Sequence, residues 1–129
     1  MMFPLVDVRD AAIAHVRAIE SESAKNKRII VVGANIWFKE MAEILNYHFG
    51  KDGYKIKTGE IKLWMLKVAS WIDDTAKSIL PQWDKPQRLS NQFSIDSLGM
   101  SYRGHKATII EMGESFIDLG IVKDKRKKK

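Results

Sequence analysis

The chain has 129 residues, 45% hydrophobic and 29% charged, which reads as a globular domain rather than a disordered one. It has no cysteine, which excludes a disulfide framework, a thiolate metal site and a cysteine nucleophile, and suits a reducing, cytoplasmic setting. The net charge of +6 is local: residues 123–129 hold six basic groups and one acid, so the other 122 residues carry only +1, too even a balance for a phosphate-binding footprint.

Leu5, Val6 and Val8, with Asp7 among them, predict a brief strand. Asp10 then stands where a helix N-cap belongs, its carboxylate accepting from free backbone N–H groups. Ala12, Ile13, Val16 and Ile19 follow at helical spacing, giving a helix over about residues 11–20. Residues 21–27 are polar and read as a loop. Ile29, Ile30, Val31 and Val32 are four β-branched residues closed by Gly33, the pattern of a strand covered on both faces in a parallel sheet.

Asn35 is placed to cap the next helix, with Trp37, Met41, Ile44, Leu45 and His48 along one stripe and a stop near Gly50. Residues 51–58 form a loop around Gly53 and Tyr54. Residues 61–80 read as a longer helix, apolar over more than half its circumference and so packed from two sides. Pro81 and Pro86 bracket an extended connector. A short helix over 91–98 ends at Gly99, and a last helix over about 106–119 stops at Gly120. The expectation is one α/β domain over residues 1–122, mostly helical with two short parallel strands, followed by a basic disordered tail over 123–129. Two parallel strands alone make a poor sheet, so the pattern reads as the end of a larger α/β sheet.

Several stretches resemble extended short-chain dehydrogenases/reductases of the dihydroflavonol reductase-like, NAD-dependent epimerase/dehydratase family. Val6-Asp7-Val8-Arg9-Asp10-Ala11-Ala12-Ile13-Ala14-His15-Val16 resembles the family's VDVRDVAxAHV segment. Arg28 to Gly33 resembles its GRYIVVG strand, and Phe38 to Leu45 the helix after it. Tyr54 to Thr58 is similar to its Y-x-I-P-T loop, with Lys57 in place of proline. Leu89-Ser90-Asn91 with Leu98-Gly99, and Met112 to Gly120, are similar to its two closing signatures. The series is in order and spans nearly the whole chain.

The resemblance implies a Rossmann-like fold of which this chain is the C-terminal, substrate-side part. It implies that Met1 to Pro4 corresponds to a stretch interior to a longer chain, as a truncated product or an alternative start would give. In the family, an N-terminal half binds NADP or NAD through a Gly-rich turn. A Tyr-x-x-x-Lys pair there supplies the proton for reduction of a small carbonyl substrate. The expected activity is therefore that of a dihydroflavonol, aldehyde or ketone reductase, with this chain not competent alone and binding no cofactor by itself. The other reading is a non-catalytic module that pairs with a full-length relative. The expected partner is a second copy or such a reductase, with no nucleic acid and no membrane. Phe3, Trp64 and Trp71 are the expected substrate-pocket wall, and Asp10 is the structural cap.

Other motifs lack their context. No GxGxxG or GxxGxxG occurs, and His105 separates Gly104 from Lys106, which spoils a P-loop. Tyr47 and Lys51 satisfy Tyr-x-x-x-Lys, but the helix is expected to end between them. His15, His48 and His105 are too far apart in sequence for a zinc motif. Asp7 and Asp10 could form an acid–base pair, although capping accounts for Asp10. Arg103, Lys106 and Lys123 read as solvated.

Overall fold

A computed structural model of the chain describes residues 1–59 and 88–126, with Leu63, Trp64, Lys67, Trp71, Lys77, Leu80 and Pro86 between them. The described residues are α/β and mostly helical. Two strands, β1 (Met2–Leu5) and β2 (Ala34–Trp37), form an antiparallel pair with Met2 opposite Trp37 and Leu5 opposite Ala34. Among the described residues four helices of about two turns or more accompany them: α1 (Val8–Glu20), α2 (Phe38–Phe49), α3 (Gln92–Leu98) and α4 (His105–Asp118).

Both expected strands are displaced, and the parallel pairing is corrected to antiparallel. The β-branched run Ile29–Val32 has no ladder partner among the described residues. It turns Ile29 and Val31 into a core with Ala14, Ala24, Leu98 and Met100 instead. Pairing falls instead to Ala34–Trp37, just past Gly33, because their backbone can zip along β1 from end to end. Gly33 N donates to Leu5 O at 2.8 Å and Phe38 N to Met1 O at 3.0 Å, beyond each end of the ladder. Pro4, which cannot donate, is tolerated because a two-stranded pair leaves one side of each strand unpaired.

The first helix begins a turn earlier than expected. Asp7, not Asp10, is the N-cap: its backbone is extended and its carboxylate accepts from Arg9 N. Val8 is exposed and starts the helix rather than ending a strand. Asp10, Ala14 and Ala18 then line the inner face at four-residue spacing. Asn35 does not cap α2; it lies in β2, and its side-chain amide donates to Leu89 O and accepts from Leu89 N.

The later helices fall where the sequence places them. Gly99 ends α3 in the left-handed region, and Arg17 of α1 donates to the free carbonyls of Leu98 and Gly99. Ser94 is fully buried and pairs with the Tyr102 hydroxyl at 2.6 Å. Gly120 turns the chain after α4, again with positive φ. Helices α2 and α4 run side by side in the same sense, with Glu40 near His105 and His48 near Glu114. Gly113 is their point of closest approach: a Cβ there would lie 2.5 Å from the Phe49 ring and 3.3 Å from Leu45.

The helix expected over 61–80 and the connector from Pro81 lie largely outside the described residues. Leu63, Trp64, Lys67 and Lys77 are helical, and Trp71 is in a turn. No described helix is long and apolar enough to cross a membrane. Residues 123–126 of the basic segment fold back onto the loop at Tyr54, whose hydroxyl donates to Lys123 O and accepts from Lys125 N.

Candidate functional site

The junction between β1 and α1 faces one side of α4 across an open groove of about 340 Å³. Leu5, Val6, Met112 and Phe116 give it an apolar lining; Arg9 and Glu111 add charge. On α4 the groove residues Thr108, Glu111, Met112, Ser115 and Phe116 share one face by helical spacing.

Asp7 organises the polar end. Its Oδ1 accepts from Arg9 N at 2.9 Å and Arg9 Nε at 2.8 Å. Its Oδ2 accepts from Arg9 Nη2 at 2.7 Å and Thr108 Oγ1 at 2.9 Å. The Arg9 guanidinium, followed by the backbone and Thr108 bonds, holds the Asp7 carboxyl far below the usual carboxylate range against the opposing effect of burial. Arg9 also reaches Glu111 Oε2 at 2.6 Å, and its two carboxylate partners keep it protonated. Asp7 is thus a permanent anion at neutral pH and cannot shuttle a proton.

Asp10 lies one turn further on and is 1% exposed. Its Oδ2 accepts from Arg103 N at 2.8 Å, and its Oδ1 is paired with the Arg103 guanidinium. The cap role expected of Asp10 is therefore corrected: the residue ties α1 to the segment entering α4. Arg103, expected to be solvated, is its partner. Asp7 and Asp10 do not act on each other; each is saturated by separate donors, so they form a pair of structural clamps rather than an acid–base dyad.

Phe3 is half-buried and packs on Phe38, ring centroids 6.3 Å apart. Trp64 is 63% and Trp71 88% exposed, and none of the three rings touches another. None of them lines the groove. Among the described residues no cluster of three or more His, Asp or Glu side chains could hold a metal ion. The groove residues of α4 were legible as a helix face, but nothing local in the sequence says that this face meets Asp7 and Arg9. The Asp-x-Arg spacing at residues 7–9, which lets a capping carboxylate hold its own arginine, was the available signal.

Asp7→Asn should cost roughly 1–2 kcal/mol at pH 7, since a neutral amide can still cap α1 but forfeits charge-assisted bonds to a half-exposed arginine. The folded-state carboxyl titrates below the ordinary value of 3.8, so its contribution is complete above about pH 5 and fades as the pH falls. Urea midpoints of wild type and variant should therefore converge between pH 5 and pH 2. A constant gap over that range would place the cost elsewhere.

Comparison with models of known protein families, with curated proteins and with solved structures finds no match.

Proposed function

We propose that the chain is the substrate-side portion of an NAD(P)-dependent reductase of Rossmann-like architecture, working with a cofactor-binding half supplied by the same or another polypeptide. The observation that carries this reading is the run Ile29–Val32. It is a strand in composition, yet among the described residues it has no ladder partner and lies beside a sheet of two strands. A continuous β-branched run with no ladder partner among the described residues belongs in a wider sheet. The outer face of α1 agrees: Val8, Val16 and Ile19 are exposed on it, Ile19 at 87%. The ordered resemblance to extended short-chain dehydrogenases supports the same assignment. In this reading the Asp7 and Asp10 clamps hold α1 and α4 in place while the groove beside Arg9 and Glu111 faces a small carbonyl substrate. The cofactor, NADP or NAD, would be held by the other half, since no Gly-rich dinucleotide turn occurs here.

The run without a described ladder partner and the apolar helix face equally favour a second reading, a non-catalytic module that docks on a full-length reductase through that edge. One experiment separates them. The cofactor-binding half of an extended short-chain dehydrogenase is expressed separately, mixed with this chain, and assayed for NADPH oxidation with small aldehydes and ketones, alongside light scattering of the mixture. Turnover that requires both chains is the expected result. A complex without turnover would favour the module. No complex and no turnover would remove both.

A further inference from the structure

The turn after α4 is built as an exposed, pinned loop. Asp118, the last residue of α4, accepts from Arg126 Nη2 at 2.7 Å, which closes a ring of nine residues. Gly120 reverses the chain, and Val122 N donates to Phe116 O at 3.0 Å. Arg126 is fastened again by Asp124. The Tyr54 hydroxyl sits between Lys123 O and Lys125 N, and its ring lies under Lys125 Nζ at 5.5 Å. Tyr54 is itself set by an edge-on contact with Phe49. The ring so formed holds Leu119 at 72% and Ile121 at 66% exposure. Aliphatic side chains this bare, on a loop fixed at its base, have no partner within the described chain.

The same fastening joins two basic segments that are far apart in sequence. Lys51, Lys55 and Lys57 belong to the Tyr54 loop, and Lys123, Lys125 and Arg126 to the returning strand of the ring. These six cations stand against three carboxylates, Asp52, Asp118 and Asp124, two of which are engaged by Arg126. The even charge of the body, counted along the sequence, hid this concentration.

We propose that this end of the molecule is a docking surface for an anionic lipid bilayer, with Leu119 and Ile121 entering the headgroup region and the lysines of both segments facing acidic lipid. Charge complementarity selects a polyanion. The aliphatic tip selects lipid over nucleic acid, because Leu and Ile gain by burial among acyl chains and gain nothing against phosphate and sugar. The proposal depends neither on the Ile29–Val32 run nor on the groove beside Arg9 and Glu111, so vesicle binding tests it separately from the reductase reading.

The test is flotation of the whole chain with vesicles of phosphatidylcholine alone and of phosphatidylcholine with 30% phosphatidylserine, at about 0.1 M salt. Binding should be at least tenfold stronger to the acidic vesicles. Each basic residue near the surface contributes about a fivefold factor, so Lys123→Glu with Lys125→Glu should abolish the difference. Leu119→Ser with Ile121→Ser should weaken binding severalfold and leave the salt dependence unchanged. Tyr54→Phe, which frees the ring from the loop, should weaken it about threefold or more, with circular dichroism to confirm that the fold is kept. Equal binding to both vesicles would overturn the proposal. So would insensitivity to the aliphatic changes together with tighter binding to an RNA oligonucleotide, which would assign the patch to nucleic acid. Insensitivity to Tyr54→Phe would show that the basic segment acts alone, and the composite surface would be wrong.

Discussion

Asp10→Ala should lower the unfolding free energy by about 3 kcal/mol, the largest loss expected from any single polar residue described here. The carboxylate is buried and serves two donors on Arg103, its backbone N–H and its guanidinium. Removing it strands both, and breaking a buried pair from one side typically costs 3–5 kcal/mol. The lower end applies because Arg103 is partly exposed and can recover solvent. An N-cap would behave differently: it would cost about 0.5–2 kcal/mol and be restored by Asn or Ser. Asp10→Asn should recover only the neutral bond to Arg103 N, and Asp10→Ser, too short to reach, should be as damaging as Ala. Urea unfolding of the three variants decides the matter. Full recovery by both Asn and Ser would return Asp10 to the cap role.

Gly113→Val should cost about 3 kcal/mol, and Gly113→Ala about 1–2 kcal/mol. In an open helix alanine would gain about 1 kcal/mol over glycine. Here a single Cβ lands 2.5 and 2.9 Å from carbons of the Phe49 ring, which is 4% exposed and held edge-on between His48 and Tyr54. The ring cannot swing away, so α2 and α4 must part, an overpacking cost of roughly 1–3 kcal/mol or more. Phe49→Leu should partly rescue Gly113→Ala, because it vacates the space that the new methyl needs. A double-mutant cycle on thermal unfolding measures that coupling. A Gly113→Ala protein more stable than wild type would show that the helices are not in close contact at this point.

The elements that were legible in the sequence are those whose signals are local. Gly99 and Gly120 end α3 and α4 because glycine takes the left-handed backbone without strain, and both lie where the apolar spacing stops. The start of α1 was misplaced by one turn because Asp7 and Asp10 are both credible caps. Local pattern cannot tell a capping carboxylate from one that is buried against an arginine 93 residues away. The strands were misread for a related reason. Ile29–Val32 has the stronger β composition, but Ala34–Trp37 has the partner, and a ladder depends on backbone donors and acceptors rather than on side-chain type. At the groove, Asp7 was visible as a polar residue beside a helix start, whereas Thr108 and Glu111 become its neighbours only through tertiary packing.

The polar bonds that join the two ends of the described chain have a kinetic meaning. Asn35 meets Leu89 across 54 residues, Asn91 meets Val32 across 59, and Arg17 meets Leu98 across 81. All three bonds are long-range, so α1 and α2 can gain helical order on their own but cannot be locked to α3 until the segment at residues 89–98 has been synthesised. Closing such wide rings is entropically uphill before any contact rewards it, and high contact order slows folding. During synthesis residues 1–50 therefore emerge before residues 88–99, with Ile29–Val32 and the outer face of α1 uncovered, and this is the interval in which a chaperone or an assembly partner would find them most accessible.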